Sequence, residues 1–70
     1  MDLDKLKYYH YHYKVKWDGK IIEQDVCYAS EKDEQTVTDF VRQDLKDTYD
    51  NGEILFFGLT KVTDERGRRI

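Results

Sequence analysis

His10 and His12 stand two residues apart, and Asp25 and Cys27 repeat that spacing further along the chain. Imidazole, carboxylate and thiolate are ligand types that suit Zn²⁺ or a similar ion. On a β-strand, residues i and i+2 share a face. The four groups meet only if the two segments pair antiparallel with position numbers summing to 37. That register sets His10 opposite Cys27 and His12 opposite Asp25, within about 5–8 Å. A flat antiparallel face, however, splays side chains outward instead of converging them tetrahedrally, and such spacing arises readily by chance. The simpler expectation is two solvent-facing histidines, with His12 paired to Asp25 and no metal or cofactor.

Catalysis finds little footing. Cys27 with His10 can be written as nucleophile and base, but nothing supplies an oxyanion site. Ser30 is the only serine, and the four glycines are scattered rather than gathered into a phosphate loop. A chain of 70 residues has little room for a pocket of several hundred Å³. The expectation is a protein that is not an enzyme and has no small-molecule substrate.

Two further constellations bear on macromolecules. Tyr8, His10, His12, Lys14 and Lys16 interleave stacking and basic groups on one strand face, as sheet-based binders of single-stranded nucleic acid do, and Arg66, Arg68 and Arg69 add a basic tail. Against this stand Glu23 and Asp25 on the same face and a net charge of −3, whereas binding to phosphates needs clustered Lys and Arg. The plainer reading is a hydrated face with cross-strand ion pairs. In the middle of the chain, Glu31, Asp33, Glu34, Asp39, Asp44, Asp47 and Asp50 would present a negative surface to a basic partner. Their ordinary role is a solvated helix face. Residues 21–53 carry a balance of −7 while the segments on either side each carry +2.

These groups depend on elements that the pattern defines. Residues 8–17 alternate almost perfectly, with Tyr9, Tyr11, Tyr13, Val15 and Trp17 on one face, which is a strand signature. Asp18-Gly19 is the short-range signal for a two-residue turn with positive φ at both positions. The return strand, residues 20–28, then pairs Val15 with Ile22, Tyr11 with Val26, Lys14 with Glu23 and His12 with Asp25. Tyr13 facing Gln24 and Lys16 facing Ile21 fit less well, so a bulged loop at Gly19 is the competing register. Ser30 with Asp33 predicts a capped helix start. Val37, Phe40, Val41, Leu45, Thr48 and Tyr49 form its apolar stripe, and Asp50-Asn51-Gly52 stops it. Residues 53–63 form a third strand whose first half is apolar on both faces, with Ile54, Phe56 and Gly58 on one and Leu55, Phe57 and Leu59 on the other.

The expected fold is α+β, in the order β-β-α-β: a three-stranded antiparallel sheet of order 2-1-3 with one helix on one face. A third strand parallel to the second is the competing topology. The chain is one domain, residues 1–70, with residues 1–7 and the basic tail 64–70 as flexible ends. One helix covers one sheet face, so a row of the third strand should remain exposed, and such rows mark interfaces. Leu55, Phe57 and Leu59, with Tyr8 and Ile21 on the hairpin, are the expected contact residues.

Size and composition agree with such a role. A domain this small buries roughly 60% of the surface its unfolded chain exposes, so self-association or a partner is a natural aid to stability. Cys27 is the only cysteine, which excludes an internal disulfide and fits a reducing cytosol. No leader or membrane-spanning run is visible, so the expectation is a cytoplasmic, soluble protein with no membrane partner. The functional expectation is a non-enzymatic protein–protein interaction module, a homodimer or a factor acting on a protein partner. Nucleic-acid binding through the basic hairpin face and Arg tail, and inhibition of a basic partner by the acidic helix, are the alternatives.

Overall fold

A computed structural model describes residues 6–70, so the expected flexible N-terminal segment lies outside the described residues except for Leu6 and Lys7. Strand β1 (Lys7–Trp17) leads through Asp18 and Gly19 into β2 (Lys20–Ser30). Both turn residues adopt positive φ, 53° and 74°, as a two-residue hairpin loop demands. Every pair from Lys7–Ser30 to Trp17–Lys20 sums to 37, so the unbulged register is the one adopted. The mismatched pair Tyr13–Gln24 is satisfied by polarity: the Gln24 amide donates to the Tyr13 hydroxyl, which also shares a 2.9 Å hydrogen bond with Tyr49.

The helix α1 (Glu34–Thr48) starts three residues later than a Ser30 cap would place it. Ser30 remains in β2, opposite Lys7, and its hydroxyl accepts the Lys32 N–H at 3.0 Å. The N-cap is Asp33, in extended conformation, and its carboxylate accepts the Thr36 hydroxyl. At the other end Asn51 takes the left-handed conformation (φ 66°), and the Gly52 N–H returns to the Tyr49 carbonyl at 2.8 Å.

Strand β3 (Glu53–Thr63) pairs antiparallel with β1, giving the order β2-β1-β3 with α1 on one face. The parallel alternative is not adopted. Tyr9, Tyr11, Tyr13 and Val15 of β1 are buried against Val37, Val41 and Leu45 of α1. These three helix positions lie four apart and form a single ridge. Phe40, expected in the same stripe, is 63% exposed, and Thr48 is exposed too. Phe40 is rotated about 100° from Val41 toward β2, and the sheet ends there, so its ring overhangs the edge beside Tyr28.

The main departure from expectation is on β3. Its register with β1 shifts twice, between His10 and Tyr11 and between Lys14 and Val15, leaving Thr60 and Leu55 as extra residues. Each bulge reverses the in–out alternation. Ile54, Phe57, Leu59 and Val62 therefore all pack against the core, and Phe57 stacks on Tyr11 with ring centroids 5.2 Å apart. Among the described residues no continuous apolar row of β3 is left outside. Residues 64–70 fold back on the end of β3. Asp64 N–H bonds the Arg68 carbonyl, Ile70 N–H bonds the Val62 carbonyl, and Thr63 bridges to Arg69.

Candidate interaction surface

The candidate metal ligands His10, His12, Asp25 and Cys27 are divided by their hydrogen bonds. Nδ1 of His12 lies 2.6 Å from Asp25 and Nε2 lies 2.7 Å from Glu23. Both ring nitrogens face carboxylates, so the arrangement suits an imidazolium donating twice and leaves no lone pair for an ion. The bonds to Asp25 first and Glu23 second raise the His12 pKa above its ordinary 6.5. His10 turns instead to the Thr63 hydroxyl at 2.8 Å, with the exposed Cys27 sulfur 4.0 Å away. Among the described residues no group of three His, Cys, Asp or Glu is placed to hold a metal.

The nucleic-acid candidates fall into two groups. Tyr8 pairs with Thr63, which bridges to Arg69, so Tyr8 and the Arg66, Arg68 and Arg69 turn share one end of the sheet. The carboxylate of Asp64 accepts the Arg66 and Arg68 N–H groups at 2.9 Å each and is held below the usual carboxylate range by them. Lys14 and Lys16 lie six and eight residues further along β1, about 20–27 Å away. The clamped acids Glu23 and Asp25 lie beside them, opposite Lys14 and His12.

The expected interface residues are dispersed as well. Phe57 and Leu59 belong to the core, for the bulge reason given above. Tyr8 is half-buried. Leu55 and Ile21 are exposed near the hairpin tip, with Lys14 and Lys16 between them. Phe56 lies across Gly58, where an added Cβ would meet its ring at 3.2 Å, and is tilted against His12.

What the structure does assemble is at the opposite edge. Among the described residues β2 pairs only with β1. A two-residue turn is closed by a hydrogen-bonded pair, here Trp17 and Lys20, and bonding then alternates along the strand. The N–H and C=O groups of Ile21, Glu23, Asp25, Cys27 and Ala29 therefore point to the free edge. This edge runs eleven residues with no register shift and no proline. β3 is different: two bulges break its edge, and Ile70 already occupies the Val62 carbonyl.

Beside the free edge runs a half-open groove of about 340 Å³, floored by Tyr28, Ala29 and Ser30 and walled by Thr36, Val37 and Phe40, with Lys32 at its end. Tyr28 is its fixed element. Its ring meets Phe40 edge-on at 6.2 Å, and its hydroxyl donates to Asp44 at 2.8 Å. Burial and that acceptor push the Tyr28 pKa up to about 12, so the phenol keeps its proton. Tyr28 lies opposite Tyr9 and packs beside the core, as the register predicted, but sequence reasoning missed Phe40 as a surface group. Its signal was present in the count: an apolar helix position beside the Val37-Val41-Leu45 ridge overhangs a sheet of three strands.

No helix among the described residues is long and apolar enough to cross a membrane. The chain matches no known protein-family model, no curated protein and no solved structure.

Proposed function

We propose that this chain is a non-enzymatic protein–protein interaction module that takes an extended segment of its partner as a fourth strand along β2. The observation that supports this most is the contrast between the two sheet edges. Proteins guard exposed edges with bulges, prolines or covering segments. β3 carries two bulges and a folded-back tail, while β2 is left straight and open. Strand addition of this kind draws affinity from main-chain hydrogen bonds and specificity from pockets for alternate side chains. The groove against Phe40 is such a pocket. The exposed, unpaired Cys27 fits action in a reducing compartment such as the cytosol.

Selection from a displayed library of random twelve-residue peptides tests the reading. Binders should slow amide exchange at Glu23, Asp25, Cys27 and Ala29. They should also lose affinity for Ala29→Pro, which removes an edge N–H without touching the bonds to β1. Absence of micromolar binders, binders that protect a different surface, or salt-sensitive oligonucleotide binding in their place would each refute it.

A further inference from the structure

The segment that joins β2 can be specified further, on the assumption that β2 is the docking edge. We infer that it is the β2 of a second copy of this chain, laid antiparallel on the first with the two-fold axis at Val26. The charges flanking the edge are matched. Lys14, Lys16, Lys20, Lys32 and the His12 imidazolium balance Glu23, Asp25, Asp33, Asp44 and Asp47. Net charge keeps proteins apart, and a balanced edge does not repel its own copy. A two-fold contact also requires a surface that complements itself.

Register decides where the axis falls. The free N–H and C=O groups lie on odd-numbered residues of β2. Centring on Asp25 sets that carboxylate opposite itself, and centring on Gln24 sets Glu23 opposite Asp25. Like charges directly opposite are destabilising. Centring on Cys27 shortens the ladder to residues 24–30. Centring on Val26 joins residues 22–30 and sets Asp25 opposite Cys27 and Glu23 opposite Ala29 on the outer face. On the helix side it sets Val26 opposite itself, Gln24 opposite Tyr28 and Ile22 opposite Ser30. Ile22 of each copy thus reaches the groove of the other, whose floor ends at Ser30. Glu23, Asp25, Cys27 and Ala29 of the two copies exchange about eight main-chain hydrogen bonds, within the roughly 5–15 of a typical interface. Phe40 supplies the apolar centre. Val26 lies opposite Tyr11, which packs with Val37 and Val41, so the axis runs level with the helix turn that carries Phe40. Two helices, each seated over its own β1, stand about three strand spacings or roughly 14 Å apart, against about 8–10 Å for direct helix contact. A Phe40 ring from each copy fills that gap, and the pairing gives Phe40 the cover that its own sheet lacks.

Sedimentation equilibrium between about 1 μM and about 1 mM protein tests the inference, and the chain should form a dimer with a Kd of about 100 μM or tighter. Phe40→Ser and Ala29→Pro, each with unchanged circular dichroism, should weaken the dimer at least about tenfold. The register is read with Glu23→Cys and Ala29→Cys combined in a Cys27→Ser background. Facing Cα atoms about 5.5 Å apart lie within disulfide reach, so a mild oxidant should give a covalent dimer faster than with either cysteine alone. A Cys27–Cys27 disulfide forming rapidly in the unaltered chain would show a different register and overturn the pairing at Val26. A chain that stays monomeric to about 1 mM, yet binds selected peptides along β2, would overturn the second copy and leave strand addition standing. A monomer that binds no peptide would overturn the inference and count against β2 as the docking edge. A dimer that neither variant weakens would put the interface on another surface and overturn the inference as well.

Discussion

Truncating neighbours on the helix tests the surface and the fold together. Val41 is fully buried among Tyr9, Tyr11 and Val37, whereas Phe40, one residue earlier, is 63% exposed. Val41→Ala removes two methyl groups from the core, a transfer loss of about 1.6 kcal/mol at roughly 0.8 kcal/mol per carbon. A residual cavity adds about 1 kcal/mol, for a total of about 2–3 kcal/mol. A 70-residue domain has only about 3.5–10 kcal/mol in hand, so the loss is a large fraction. With a urea slope near about 1 kcal/mol/M, the unfolding midpoint should fall by about 2 M or more. Phe40→Ala deletes the larger side chain, yet it should cost less than about 1 kcal/mol, since it loses only the edge-on contact with Tyr28. Urea unfolding followed by circular dichroism reads both values. The inverse order would show the helix turned by about 100°, with Phe40 in the core. In that case the groove beside β2 does not exist, and the docking proposals fall with it.

The His12 clamp makes stability depend on pH in a definite direction. Because its bonds to Asp25 and Glu23 raise the pKa in the folded chain, the stabilisation is fully present below 6.5 and is lost as pH rises through the raised value. Ring-proton NMR should show His12 titrating above 6.5, with Asp25→Asn moving it down; a wild-type midpoint at or below 6.5 would refute the double bond. Tyr28 should be among the last phenols to ionise, near pH 12. Its stabilising contribution persists below pH 10 and fades as pH climbs through that value, and absorbance titration of Tyr28→Phe should remove one late step. Gly52→Ala should destabilise by about 1–3 kcal/mol in thermal or urea unfolding, because the added Cβ would sit 2.9 Å from the Tyr49 carbonyl and 3.2 Å from that of Lys16, neither free to move; wild-type stability would show that the backbone has room there.

The elements that were legible in the sequence share one property: their signals are local and periodic. Ten alternating residues and Asp18-Gly19 determine the hairpin and its register, and the ridge Val37-Val41-Leu45 determines which way the helix faces. The clamp was half legible. His12 opposite Asp25 followed from the register, but the choice of Glu23 between Lys14 and His12 is made by side-chain reach across the face. β3 was misread because a bulge is a change of count, and strict alternation assumes the count is constant. Its inward residues are spaced 3, 2 and 3 apart, Ile54 to Phe57 to Leu59 to Val62, and only pairing with Val15, Tyr13, Tyr11 and Tyr9 in turn reveals that they form one row. The same two insertions that carry this row into the core also break the outer edge of β3 as a template for another strand. Packing the core and disabling one edge are thus a single structural act. Its consequence is that, among the described residues, β2 is the sheet edge that carries neither a bulge nor a folded-back segment.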